Sequence, residues 1–205
     1  HRQAFGLKIL NANYPRIRQL KRDGKVAEIH GNKFWNSSYL IMDYLKKNPL
    51  PKRSRVLEIG CGWGSFFDFG FVCEEYLGFD VVTEFIKVAN KKYGGSIDKS
   101  FRVQDISSLE TITDRYDVSI ASGVAGNIGG PAYLPGKLKS MLHNMYVRSN
   151  TVLVNFPSNR ATNRAENVEY FSPEYILGQA LNITNNVKII HKNKFDFLKI
   201  TSKLS

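Results

Sequence analysis

The stretch that decides the fold is a short apolar run followed by three alternating glycines, Arg55-Val56-Leu57-Glu58-Ile59-Gly60-Cys61-Gly62-Trp63-Gly64-Ser65. The apolar run predicts a buried strand. The glycines predict a tight turn, because glycine adopts backbone conformations that other residues avoid. Apolar residues after the turn favour a packed helix: Phe66, Phe67, Phe69, Phe71 and Val72. A strand, a glycine-rich turn and a helix N-terminus bring bare backbone close to a ligand.

A second apolar run, Tyr76-Leu77-Gly78-Phe79, ends in an acid, Asp80, about 20 residues after the first glycine. An acid at the tip of the second strand can accept hydrogen bonds from a ribose diol. The two features together fit a nucleotide-like ligand on a Rossmann-type sheet. The dinucleotide fingerprint is Gly-x-Gly-x-x-Gly, and Ser65 stands where its third glycine belongs. At this point two other interpretations of the turn are open. It could bind a dinucleotide, or it could serve only to pack a helix on the sheet.

The turn also carries an acid two residues before its first glycine, so that it reads Glu58-x-Gly60-x-Gly62-x-Gly64. Here the chain resembles the class I S-adenosylmethionine (SAM)-dependent methyltransferases, whose first motif is (Glu/Asp)-x-Gly-x-Gly-x-Gly. The resemblance covers roughly residues 30–205. It implies SAM as the cofactor, S-adenosylhomocysteine (SAH) as its product, and methyl transfer as the reaction. It also implies that Glu58 orients the turn, and that the backbone meeting the methionine part of SAM belongs to Gly60, Cys61, Gly62 and Gly64.

The same resemblance assigns cofactor contacts to the next two strand ends. Asp80 takes the ribose, with Val81 beside it. Phe101-Arg102-Val103-Gln104 predicts a third strand, followed by Asp105 and Ile106. In this family an acid at that point commonly takes the adenine amino group, and the next backbone N–H meets the ring. Asp105 as a helix cap for residues 107–112 is the alternative, and the two roles are compatible.

A second resemblance lies before the glycine turn, in Gly31-Asn32-Lys33-Phe34-Trp35-Asn36-Ser37-Ser38. It is similar to a Gly-x-x-x-Trp-x-(Ser/Ala)-(Ser/Ala) segment of seven-strand methyltransferases that include protein-lysine enzymes. The resemblance implies that Trp35 closes the cofactor pocket from the N-terminal side. The alternative is a core aromatic that seals the following helix to the sheet. Asn36 or Ser37 is expected to cap that helix.

The fourth strand, Tyr116 to Ala121, leads into a small, glycine-rich loop that begins with Ser122 and Gly123. The resemblance places these two residues on the floor of the pocket, near the sulfonium of SAM. Amino-methylating relatives carry (Asp/Asn/Ser)-Pro-Pro-(Tyr/Phe/Trp) or Asp-x-x-Tyr after this strand, and this chain carries neither. The departure removes the obvious general base and counts against lysine methylation. Methyl transfer still proceeds where alignment supplies the acceleration.

The remaining chain predicts a helix over residues 131–148, a fifth strand over 151–156, a helix capped by Ser172, and a closing hairpin over 187–200. The predicted fold is a three-layer α/β/α sandwich with a seven-stranded, mostly parallel sheet in the order 3-2-1-4-5-7-6. Residues 1–30 are expected to form an N-terminal cap or arm, and residues 31–205 a single methyltransferase domain. Asn155 and Arg160, near the carboxyl end of the fifth strand, are possible acceptor contacts.

Composition sets broad limits on the class of protein. The 205 residues suit one domain, and 42% of them are hydrophobic, which is ordinary for a globular protein. No apolar run approaches the roughly 20 residues of a membrane span, and the N-terminus has no signal-peptide core. Cys61 and Cys73 give neither a disulfide framework nor metal-ligand spacing. A cytoplasmic location is therefore expected.

The acceptor of the methyl group is not identified by the sequence. A small molecule or a protein is the leading interpretation. The net charge of +11 leaves nucleic acid as an alternative acceptor. A non-catalytic SAM-binding or scaffold protein is the alternative from a different class, favoured by the missing motif after the fourth strand. The oligomeric state is left open.

Overall fold

The computed structural model describes residues 37–105, 112–125, 134–162, 169–192 and 195–201. Helices and strands alternate along the chain from the first glycine turn onward. The helices are α1 (Ser37–Lys47), α2 (Ser65–Asp68), α3 (Thr83–Tyr93), α4 (Leu134–Arg148) and α5 (Pro173–Leu181). The strands are β1 (Arg55–Ile59), β2 (Glu75–Asp80), β3 (Lys99–Val103), β4 (Tyr116–Ala121), β5 (Ser149–Pro157), β6 (Val187–Lys192) and β7 (Phe195–Thr201).

The seven strands form one sheet in the order β3-β2-β1-β4-β5-β7-β6, as predicted. The first five strands run parallel, and β7 pairs antiparallel with both β5 and β6. The order reverses at β1, because β2 lies on one side of it and β4 on the other. Ligands of open α/β sheets bind outside the carboxyl ends of the strands at such a reversal. The predicted fold class is therefore confirmed, and the reversal marks the edge where a ligand site is expected.

Both faces of the sheet are covered by helices, which gives three layers. Alternate residues of each parallel strand point to opposite faces. On one face, Leu57 and Ile59 join apolar side chains of α4 and α5. On the other face, Val56 joins side chains of α1, α2 and α3. Since both faces are buried, the central strands are mostly apolar on both faces rather than alternating, with buried polar exceptions such as Glu58 and Ser119.

One local prediction was wrong. The helix after the glycine turn is only one turn long, because Gly70 has φ 75°, which ends it. Val72, expected within that helix, is 78% exposed. Val82 stands at the cap position of α3, and Thr83 is its first helical residue. At α5 the predicted cap is confirmed, because Ser172 Oγ accepts from the N–H of Tyr175 at 3.0 Å, with Pro173 in the first turn.

Several predictions fall outside the described residues. These are the N-terminal arm over residues 1–30, the roles of Trp35 and Asn36, and the backbone contact at Ile106. Within the described residues, no helix is both long and apolar enough to cross a membrane.

Candidate active site

The glycine turn leaves β1 at the carboxyl edge of the sheet and bends three times. Gly60, Gly62 and Gly64 have φ of 72°, 54° and 80°, in the left-handed region that favours glycine. The turn is fixed to β2, because the N–H groups of Gly60 and Cys61 both donate to the carbonyl of Phe79, at 2.7 and 2.9 Å. The alternating glycines of the sequence are therefore required by the backbone.

The three glycines differ in what a side chain would meet. A Cβ on Gly60 would lie 2.3 Å from Cγ2 of Val124, in the loop after β4. A Cβ on Gly64 would lie 2.9 Å from the ring of Tyr93, at the end of α3. A Cβ on Gly62 would meet no described atom within 4 Å. The outer two glycines allow close packing of the chain on itself, whereas the middle one has no neighbour that close among the described residues.

Asp80 connects the end of β2 to this turn. Its Oδ2 accepts from the N–H of Gly62 at 2.9 Å, and its Oδ1 accepts from the N–H of Val82 at 2.9 Å. Burial raises the pKa of the Asp80 carboxyl, and the two backbone hydrogen bonds partly offset that rise. Each carboxylate oxygen has a second lone pair, so Asp80 can hold the turn and still accept from a ligand hydroxyl.

Glu58 lies beneath the turn rather than at its surface. Its side chain is 1% exposed, and its Oε2 accepts a hydrogen bond from the hydroxyl of Tyr76, which is also buried. Burial raises the pKa of Glu58 well above its ordinary value, although the Tyr76 hydrogen bond opposes the shift. Gly78 makes room for this pair, since a Cβ there would lie 2.8 Å from the Tyr76 ring and 2.9 Å from the Cys61 sulfur.

Cys61 serves packing rather than nucleophilic chemistry. Its side chain is buried, and burial raises the pKa of its thiol well above the ordinary value. A protonated, buried thiol is a poor nucleophile. The small side chain between Gly60 and Gly62 therefore fills the space against β2 and leaves the backbone of the turn open for a ligand.

The loop after β4 closes the other side of the same edge. Ser122 is 8% exposed, and Gly123 has φ 70°. The N–H of Gly123 donates to Oδ1 of Asn155 at 2.7 Å, and Nδ2 of Asn155 donates to Oγ of Ser122 at 3.1 Å. Ser122 in turn donates to Oγ of Ser38, in α1, at 3.3 Å. Side chains of three elements thus meet beside the glycine turn.

The other predicted contacts lie around this centre. Val81 is 56% exposed at the end of β2. Asp105 follows β3 and is exposed. Arg160, a predicted acceptor contact, donates to Glu174 at 3.0 Å on the surface. Trp35 and Ile106 lie outside the described residues.

The sequence interpretation missed the side chains that pack against the glycine turn. Val124 and Tyr93 lie against Gly60 and Gly64, and the hydroxyl of Tyr76 binds Glu58. Each of the three is an apolar or aromatic residue that reads as ordinary core in a sequence. A glycine two residues after Tyr76, within a strand, was the one available signal, because glycine in a strand marks a close approach.

Comparison with known proteins identifies the class. The family described as "Methyltransferase domain" matches residues 57–143. No curated protein sequence matches the chain. Among solved structures, magnesium protoporphyrin IX methyltransferase from Synechocystis, with bound SAH, superposes with a TM-score of 0.64 at 15% identity, over 97% of this chain and 95% of that one.

Two further structures extend the likeness. A TehB-like SAM-dependent methyltransferase from Corynebacterium glutamicum superposes with a TM-score of 0.60 at 17% identity, over 94% of this chain and 97% of that one. The glycopeptide N-methyltransferase MtfA superposes with a TM-score of 0.58 at 11% identity, over 80% of this chain and 89% of that one. At these identities the likeness shows the fold, and the substrates in those names belong to the other proteins.

Residues 57–143 match a methyltransferase domain, and the strand order and the glycine motif are those of class I SAM-dependent methyltransferases. The predicted resemblance to that class, the fold, the enzyme class and the SAM cofactor are thereby confirmed. The acceptor is a separate question, which neither the fold nor the class decides.

Proposed function

We propose that this protein transfers the methyl group of SAM to a small-molecule or protein acceptor at the carboxyl edge of β1, β2 and β4. The single observation that carries the proposal is the turn with three left-handed glycines, whose middle N–H is held by Asp80. When bound there, SAM would supply an electrophilic methyl group carried on its sulfonium. After the transfer, the remainder of the cofactor is SAH.

The residues fit that cofactor. A Cβ on Gly62 would meet no described atom within 4 Å, so this backbone suits a close approach of the methionine part. Asp80 retains lone pairs for the ribose hydroxyls. Asp105 and Val81 are exposed at the adjacent strand ends and would meet the adenosine part. Glu58, held by Tyr76, would act through the turn rather than by direct contact.

The acceptor side favours a nucleophile that needs no base from residues 122–125. Those residues are Ser122, Gly123, Val124 and Ala125, none of which titrates near neutral pH. Ser122 instead offers a hydroxyl group, which can orient an acceptor without removing a proton. The chain therefore contributes alignment, and the acceptor supplies its own lone pair to the methyl carbon as the carbon–sulfur bond breaks.

Calorimetric titration with SAM, SAH and NAD tests the cofactor. We expect micromolar binding of SAM and SAH and none of NAD. The variant Asp80→Ala should weaken SAH binding by roughly tenfold or more, since it removes both the ribose acceptor and the support of Gly62. Asp117→Ala is the matched control, because Asp117 also accepts a backbone N–H, that of Arg55 at 2.7 Å, but at the opposite edge of the sheet.

Failure of SAM and SAH to bind the folded wild type would overturn the proposal and favour a scaffold protein. If SAH binds, labelled SAM is incubated with separate small-molecule, protein and RNA fractions. Label in the first or second supports the proposed acceptor. Label in RNA alone, with binding that falls steeply with salt, would show the nucleic-acid alternative to be correct.

A further inference from the structure

The carboxyl end of β5 carries a buried amide that the SAM-binding motif does not explain. Asn155 is 0% exposed, although asparagine is depleted in strands and costly to bury without partners. It lies one residue beyond the pair Ala121 and Val154, where β4 and β5 are still in parallel register. Its side chain therefore faces the first residues of the loop after β4.

We propose that Asn155 is a positioning residue that fixes the loop Ser122–Ala125 against the glycine turn, so that the floor of the cofactor pocket is set from β5. The inference rests on the proposed function, because it concerns the same cofactor site. It differs from the role predicted from the sequence, in which Asn155 contacts the acceptor.

The contacts define the loop's conformation at two successive residues. Oδ1 of Asn155 accepts from the N–H of Gly123 at 2.7 Å, and Nδ2 donates to Oγ of Ser122 at 3.1 Å. One planar amide thus binds a donor and an acceptor on adjacent residues. Because Gly123 has φ 70°, the chain reverses at the point where Asn155 holds it.

The reversal presses the next residue onto the glycine turn. Val124 follows Gly123 and packs directly against Gly60. A Cβ on Gly60 would lie only 2.3 Å from Cγ2 of Val124. Any drift of the loop would therefore loosen the packing of the turn that holds the cofactor. The coupling runs through contacts, from Asn155 to Gly123 to Val124 to Gly60.

The same network extends to the helix before β1. Ser122 accepts from Asn155 and donates to Oγ of Ser38 at 3.3 Å. Ser38 lies in α1 and is the last residue of the sequence segment that contains Trp35. Asn155 is thus placed to hold both the loop after β4 and the start of the helix that precedes the motif.

Three variants test the proposal. Asn155→Leu removes both hydrogen bonds at similar volume, and we expect SAH affinity to fall about tenfold. Asn155→Asp keeps an oxygen acceptor for Gly123, while the Ser122 hydroxyl can turn to donate to the second oxygen, so SAH affinity should stay within about threefold of the wild type. Ser149→Ala is the control, because Ser149 is buried and hydrogen-bonded to Ser119 across the same two strands, inside the sheet.

The readouts are SAH affinity by calorimetry, thermal unfolding, and the amide of Gly123 in nitrogen-15 NMR with hydrogen exchange. A positioning role predicts a shifted, faster-exchanging Gly123 amide in Asn155→Leu and rescue of both amide and affinity in Asn155→Asp. Ser149→Ala should lower the unfolding temperature without changing either.

The proposal is overturned if Asn155→Leu binds SAH as the wild type does, or if Ser149→Ala weakens binding equally. If Asn155→Leu fails to fold, Asn155→Asp and Ser122→Ala decide the matter by the same readouts. An absence of SAH binding in the wild type would instead refute the proposed function, and the Gly123 amide would still report whether Asn155 holds the loop.

Discussion

At the scale of single residues, the three glycines of the turn have similar backbone angles but different surroundings. Gly60→Ala combines a left-handed φ with an overlap against Val124, whereas Gly62→Ala brings only the unfavourable φ. We expect Gly62→Ala to cost roughly 1–2 kcal/mol of stability and Gly60→Ala a further 1–3 kcal/mol. SAH binding should be lost in Gly62→Ala, because its methyl would occupy the space proposed for the cofactor, and in Gly60→Ala, because the overlap with Val124 would displace the turn.

Gly70→Ala is the matched control for that comparison. Gly70 has φ 75°, and a Cβ there meets no described atom within 4 Å, but it lies beyond α2 and outside the site. Urea unfolding should give similar losses for Gly70→Ala and Gly62→Ala, and calorimetry should separate them. Normal SAH binding by Gly62→Ala would contradict the position assigned to the cofactor.

At the scale of helices and strands, the short helix α2 depends on α3 for its position. The hydroxyl of Tyr93 and the ammonium of Lys92 both donate to Asp68, at the end of α2. The Tyr93 ring also lies against Gly64, where α2 begins. The ring rather than the hydroxyl is the larger contribution, because the hydrogen bond is partly solvent-exposed.

Tyr93→Phe and Tyr93→Ala separate those contributions. The first keeps the ring and loses the hydroxyl, and we expect it to cost under about 1 kcal/mol with unchanged SAH affinity. The second removes the wall beside Gly64, and we expect it to cost about 2–4 kcal/mol and to weaken SAH binding severalfold. Urea unfolding and calorimetry measure both effects. Equal losses in the two variants would mean that the Asp68 hydrogen bond, rather than the ring, holds α2.

The elements also show what the sequence could and could not predict. Strand order, the glycine turn and Asp80 were predictable, because each follows from local residue types in a recurring pattern. The length of α2 was not, since the left-handed Gly70 that ends it reads as one glycine among several aromatics. The hydrogen-bond partners of Asn155 were also not predictable. They depend on the register between β4 and β5, which brings together residues far apart in sequence.

At the scale of the whole molecule, the buried carboxyl under the site makes stability depend on pH. Burial raises the pKa of Glu58, the charge of Asp80 raises it further, and the Tyr76 hydroxyl opposes both. The folded protein therefore holds this proton more tightly than the unfolded chain does. The resulting stabilisation is complete below the ordinary pKa of 4.5 and is lost as the pH rises towards the raised folded value.

Glu58→Gln isolates that contribution, because glutamine does not titrate but still offers an oxygen to the Tyr76 hydroxyl. The quantity to follow is the unfolding free energy of the wild type minus that of Glu58→Gln. We expect this difference to be largest at acidic pH and to fall, as the pH rises, by up to about 1.4 kcal/mol per pH unit. The other titrating groups cancel in this difference. Urea unfolding at several pH values measures it, and a difference that grows with pH would mean that the fold holds Glu58 as a carboxylate, with Tyr76 as its donor.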